Sequence, residues 1–305
     1  YLGWEATRWL DEALASELSD PVRVRASWTA GWAAFARSEY DAASERYEEC
    51  RRVAERIGDR WYVAWALYGL SRVDQPRRPA EGLRLLEEAV AMFEELGDAR
   101  GRAECHLAIG YSAALSGDTV EAPRLLNAAL EALQVDGLLR SISICRQGMS
   151  MVGWYSDDAE SALSNAAAAV ELARRSDDRP ATCGALVQRA VVRYRWGDAR
   201  EAAVDLFEAM RLLPPRNDVD SCLVFSAATG MLIDAGYSRL ACRVIDHVER
   251  VTRAVGWVPI AEWIPALAEF RKTACERLEG EPDPTLSTTV AIGQEVRAVL
   301  AELVQ

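Results

Sequence analysis

The side chains with chemistry to offer are few in this 305-residue chain, and they are widely scattered. Its two histidines, His106 and His247, stand far apart, and neither has a second ligand four residues on, the spacing that puts two imidazoles on one helical face for zinc. A phosphate-cradling loop needs glycines before its lysine, but the single lysine, Lys272, sits in Phe270-Arg271-Lys272-Thr273. Nucleophilic catalysis needs a Ser or Cys beside a base, and two isolated histidines leave few such pairs. The acidic doublets Glu87-Glu88, Glu94-Glu95 and Asp177-Asp178 read as solvated faces and helix caps. No catalytic residue, metal site or cofactor is therefore expected.

Seven cysteines, at 50, 105, 145, 183, 222, 242 and 275, include no pair at the close spacing of a redox or zinc motif. Four of them, Cys105, Cys145, Cys183 and Cys222, recur at intervals of 40, 38 and 39 residues, which reads as small core residues in a reducing cytoplasm. The formal net charge of −12 argues against a nucleic-acid surface, which requires clustered basic residues. No apolar run approaches the roughly 20 residues of a membrane helix, and no charged-then-apolar leader opens the chain. What the chain does have in excess is aromatic surface, ten tryptophans among them.

The elements that must position those aromatics are repeated helical hairpins. The stretch from Gly197 to Pro214 is the clearest instance: a Gly-Asp turn, then a helix whose stripe is Ala202, Leu206 and Ala209, stopped by Pro214. Equivalent stripes begin at Ala6, Ala43, Gly82, Ala122, Ala162 and Ala241, so the interval is 37, 39, 40, 40, 40 and 39 residues. Short connectors such as Gly58-Asp59, Gly97-Asp98 and Asp177-Asp178 separate the units, supplying helix stops and N-caps. The expected architecture is all-α: a half unit at 1–18, six hairpin units at about 21–57, 60–96, 99–135, 139–175, 179–215 and 219–255, then capping helices at 257–305 broken by a linker at 280–286. The repeat domain thus spans 1–256. Because the half unit lacks its first helix, the chain is expected to be cut from a longer protein.

The order small residue, Gly-Asp turn, Ala, large apolar, Ala resembles the tetratricopeptide repeat, which implies a right-handed α-solenoid. These units are longer than that family's usual 34 residues, by about 9 Å of helix at 1.5 Å per residue. Long units with connectors such as Leu96-Gly97-Asp98 resemble the repeat region of large bacterial ATP-dependent transcription regulators of the STAND class, similar to the maltose regulator and LuxR-type proteins and common in actinobacteria. That resemblance implies an intramolecular contact with an ATPase module in a parent chain, and a cytoplasmic location.

In such repeats the first helix of each unit lines the concave wall. Projecting the register places Arg25, Trp28, Trp32, Phe35, Trp65, Tyr68, Arg72, Glu104, Tyr111, Gln147, Met151, Trp154, Val187, Tyr194 and Arg195 there; a one-residue error would turn several of them into core. A large aromatic side chain buries about 150–250 Å², so several on one wall exceed what a surface usually leaves uncovered. The expected function is non-enzymatic sensing: a peptide, protein segment or small effector lies in the groove, with Arg25, Arg72 and Arg195 reading its polar or acidic groups. A scaffold for protein assembly and a stand-alone peptide receptor are the competing readings.

Overall fold

The computed structural model describes residues 4–213, 218–254, 263–277 and 289–304. Among these residues there are fifteen α-helices and no strand. A single helix, α1 (Trp4–Ala15), precedes six hairpins: α2 (Asp20–Ala36) with α3 (Tyr40–Ile57), α4 (Arg60–Asp74) with α5 (Pro79–Leu96), α6 (Ala99–Leu115) with α7 (Glu121–Val135), α8 (Leu139–Tyr155) with α9 (Ala159–Arg175), α10 (Arg179–Arg195) with α11 (Ala199–Leu212), and α12 (Asp218–Asp234) with α13 (Ser238–Ala254). Two further helices follow, α14 (Trp263–Glu276) and α15 (Thr289–Val304). The all-α class of repeated helical hairpins is the one read from the sequence. Pro214 and the linker expected at 280–286 lie outside the described residues.

The connectors work as their residue types dictate. Gly58 ends α3 with a φ of 74°, a left-handed conformation that suits a residue without a β-carbon, and Asp59 then accepts a hydrogen bond from the Tyr62 amide to start α4. Asp158, Asp178 and Asp198 cap α9, α10 and α11 in the same way. Where glycine is missing, Ser38, Asp157 and Asp177 take the positive φ, as short polar side chains can.

Packing divides the chain into two compact units, residues up to 109 with 127–136, and residues 110–126 with 137 onward. In the first unit the core runs through Tyr47, Leu67, Leu70, Leu86 and Phe93. Its controlling feature is the Tyr47 ring on α3, which lies against Gly31 of α2 and Gly69 of α4; β-carbons added there would stand 2.8 and 2.6 Å from ring carbons. A second such fit sets the Phe93 ring against Gly101, where an added β-carbon would stand 2.4 Å from ring carbons. Both are close approaches of backbone to ring that any side chain on the glycine would block.

In the second unit, Leu126 takes the place that Tyr47 has in the first, packed against Gly110 and Gly148. Further along, Leu186, Leu206, Phe225, Leu232 and Ile245 form a continuous core, joined by Ile292 and Leu300 of α15. Helix α15 packs on α11, α12 and α13, and α14 packs on α12 and α13. Their edges are tied by the Arg243–Glu295 and Arg271–Asp246 ion pairs.

A carboxylate is buried in this unit. Asp205 of α11 is 1% exposed and accepts hydrogen bonds from Arg189 Nε and Nη2 at 2.9 and 2.6 Å and from Arg193 Nη1 at 2.8 Å, all from α10. Removing one partner of such a group strands the others.

Two outcomes follow from these contacts. Gly69→Ala is expected to lower unfolding stability by about 1–3 kcal/mol, since the ring and the α4 backbone must move apart; urea titration measures it. Asp205→Ala, which leaves two guanidinium groups without their shared carboxylate, is expected to cost about 3–5 kcal/mol by the same titration.

Candidate functional site

Some of the residues projected onto the wall gather into two clusters, one within each unit: Trp28, Phe35, Trp65, Tyr68 and Arg72 in the first, Trp154 and Arg195 in the second. In the first unit, α2 and α4 run side by side and their aromatic positions meet. Trp28 and Trp65 stand edge to face at 6.0 Å, and Trp65 also meets Tyr68 at 5.5 Å, Trp61 at 5.7 Å and Phe93 at 5.1 Å. Trp65 is 7% exposed, so it is chiefly core, whereas Trp28, Phe35, Tyr68 and Arg72 are half-buried and keep a face toward solvent. The indole N–H groups of Trp28 and Trp65 are buried without a hydrogen-bond acceptor.

At the edge of this cluster the Arg72 guanidinium lies over the Phe35 ring at 5.3 Å and the Tyr68 ring at 5.8 Å. Its Nη1 donates to the Tyr68 hydroxyl at 2.9 Å, and that hydroxyl lies 3.4 Å from Glu104 Oε2. The remaining Arg72 N–H groups make no bond among the described residues, so the cation is fixed on an aromatic shelf with donors to spare. Behind the shelf, burial pushes the Tyr47 hydroxyl above its ordinary value while Arg72 pulls it down. Arg25 is exposed near Tyr62, and Trp32 is half-buried outside these ring contacts.

The second unit holds the other cluster. Arg195 lies over Trp154 at 4.3 Å and over Trp196 at 4.9 Å, and the two indoles are 5.7 Å apart. Its Nη1 donates to the Trp154 carbonyl at 3.0 Å and its Nη2 to Asp157 at 2.9 Å. Both of its terminal nitrogens thus donate to the chain's own groups, on a residue that is exposed. Gln147 is buried and its carbonyl accepts from Gln188 Nε2 at 2.6 Å; Tyr111 and Met151 are half-buried, Tyr111 beside Gly148. Tyr194 donates to Asp234 and packs at Gly230, where burial and that carboxylate raise its hydroxyl above the usual range. Val187 is buried in the core.

Sequence reasoning missed three residues that complete these clusters. Tyr47 reads from the sequence as part of a packing stripe and Asp157 as a turn residue, and no pattern singles out Trp196. Period alone does not say which connector residue turns back onto a helix. Among the described residues no group of His, Cys, Asp and Glu could hold a metal ion, and no helix is long and apolar enough to cross a membrane.

No family model and no curated protein matches this chain. Among solved structures it is similar to a Rap protein complexed with competence and sporulation factor, with a TM-score of 0.62 and 14% identity over 90% of this chain and 81% of that one. It is also similar to NprR in complex with its cognate peptide NprX, with a TM-score of 0.60 and 14% identity over 90% of this chain and 79% of that one. The chain has a tetratricopeptide-like helical-repeat fold. At this identity the likeness carries the fold, and the site rests on its own residues.

The two arginines differ in a way that can be measured. Arg195→Ala removes the cation from between two indoles and is expected to change tryptophan emission and to lower stability by about 0.5–2 kcal/mol in denaturant titration.

Proposed function

We propose that this chain is a non-enzymatic, ligand-sensing repeat domain that binds a peptide, protein segment or small effector on the aromatic and arginine surface of its first unit. The observation that carries the reading is Arg72: a cation stacked on Phe35 and Tyr68, half-buried, with N–H donors uncommitted. A rigid aromatic shelf supplies contact area at little entropic cost, and the guanidinium gives a ligand carbonyl or carboxylate a directional partner. The structurally similar Rap and NprR were solved with competence and sporulation factor and with the peptide NprX, which favours a peptide among the possible ligands.

The wider setting proposed is a cytoplasmic, ATP-dependent bacterial transcription regulator, in which ligand binding biases the stacking of neighbouring hairpins. Each hairpin touches chiefly its neighbours, so a ligand that spans two of them shifts their packing with little resistance from the rest. An ATPase module of the parent chain would read that shift.

The test is a combinatorial library of short linear peptides screened by native mass spectrometry, with the best binder titrated by calorimetry. Arg72→Gln and Tyr68→Ala are each expected to weaken binding about tenfold or more, the equivalent of about 1.4 kcal/mol, while Arg195→Gln leaves it unchanged. Equal affinity in wild type and both first-unit variants would overturn the assignment.

A further inference from the structure

Away from the aromatic clusters, the packing of α14 on α13 brings two thiols together. Arg271 of α14 pairs with Asp246 at 2.7 Å and with Glu249 at 3.0 Å on α13. Farther along α14, Arg277 reaches the Ile233 carbonyl and Asp234 at the end of α12, beside the start of α13, so α14 runs antiparallel to α13. One turn earlier on α13 than Asp246 is Cys242, and one turn later on α14 than Arg271 is Cys275, so the same register sets the two cysteines opposite each other. Cys275 lies close enough to Cys242 to act on its thiol. Both are free thiols, Cys275 exposed and Cys242 buried. The other five cysteines are all buried.

We propose that Cys242 and Cys275 form a reversible thiol–disulfide site, oxidised by hydrogen peroxide, that staples α14 to α13. Cys275, the exposed thiol, meets the oxidant. Its sulfur attacks one peroxide oxygen, the O–O bond breaks, and the products are a sulfenic acid and water. Cys242 then attacks the sulfenic sulfur; the S–S bond forms, the S–O bond breaks, and the hydroxyl leaves as a second water with the Cys242 proton. Two thiols are oxidised and one peroxide is reduced, and a dithiol reverses the step.

The division of labour follows from exposure. Burial pushes the Cys242 thiol up to about 11, so it stays protonated and unreactive until a sulfenic acid forms beside it. Closing the bond requires the two sulfurs to approach to about 2.05 Å. The effect on the fold is local: α14 also sets Phe270 near Gly230 and Arg277 against Asp234, so the staple would lock these contacts onto α12. Disulfides in a reducing compartment are usually transient and regulatory, which is the use this arrangement suits.

The test treats the reduced chain with hydrogen peroxide and follows it by intact mass and non-reducing peptide mapping. The expected result is loss of two hydrogens, a peptide pair linked through residues 242 and 275, a rise in Tm, and full reversal by dithiothreitol. Cys275→Ser, at an exposed position, is expected to keep the Tm of the reduced protein and abolish the link and the rise. Cys242→Ser is expected to leave Cys275 as a sulfenic acid that a dimedone probe labels. Direct conversion of wild-type Cys275 to sulfinic acid, or cross-linking of two chains through it, without an intrachain link would overturn the proposal.

Discussion

The first unit depends on one close approach. The Tyr47 ring occupies the space where β-carbons of residues 31 and 69 would otherwise stand, and only glycine at both positions lets α2 and α4 close on α3 at that depth. The site is a consequence of this packing. Trp28 and Trp65 lie one turn before the two glycines and meet edge to face; Phe35 and Arg72 lie one turn after them and meet as ring and cation. A helix pair held further apart would separate both contacts together. Scaffold and candidate site are therefore the same set of helix positions, read on two faces.

Arg72 carries its charge differently from Asp205 and Arg195. Asp205 is buried with two arginines around it, and Arg195 is held by Asp157 between two indoles; both arrangements consume their charges in positioning helices. Arg72 is held by ring faces and a phenol, so its cation keeps hydrogen-bonding capacity. In a chain of net charge −12, where many arginines are tied to carboxylates, that difference is what marks the first unit as the place to look for a ligand.

Most of the fold was legible in the sequence because the repeat is spelled in local signals: Gly-Asp connectors, N-cap aspartates, and a stripe with helical period. Depth was not: Trp65 and Val187 follow the wall register yet are buried, because the neighbouring hairpin decides how far a side chain is covered. Nor was pairing legible. Whether Arg195 or Arg72 keeps free donors depends on Asp157 and Tyr68, partners chosen by three-dimensional packing and not by spacing. After residue 256 the period lapses, and only the contacts show that α15 reaches back to α11 while α14 rests on the last hairpin.

The central claim is that ligand recognition belongs to the face built by α2 and α4. Hydrogen exchange across the whole chain, with and without a saturating peptide binder, tests it most directly. The account requires added protection at the amides of α2 and α4 around Trp28, Phe35, Tyr68 and Arg72. Protection confined to α8 and α10, with α2 and α4 unchanged, would contradict it.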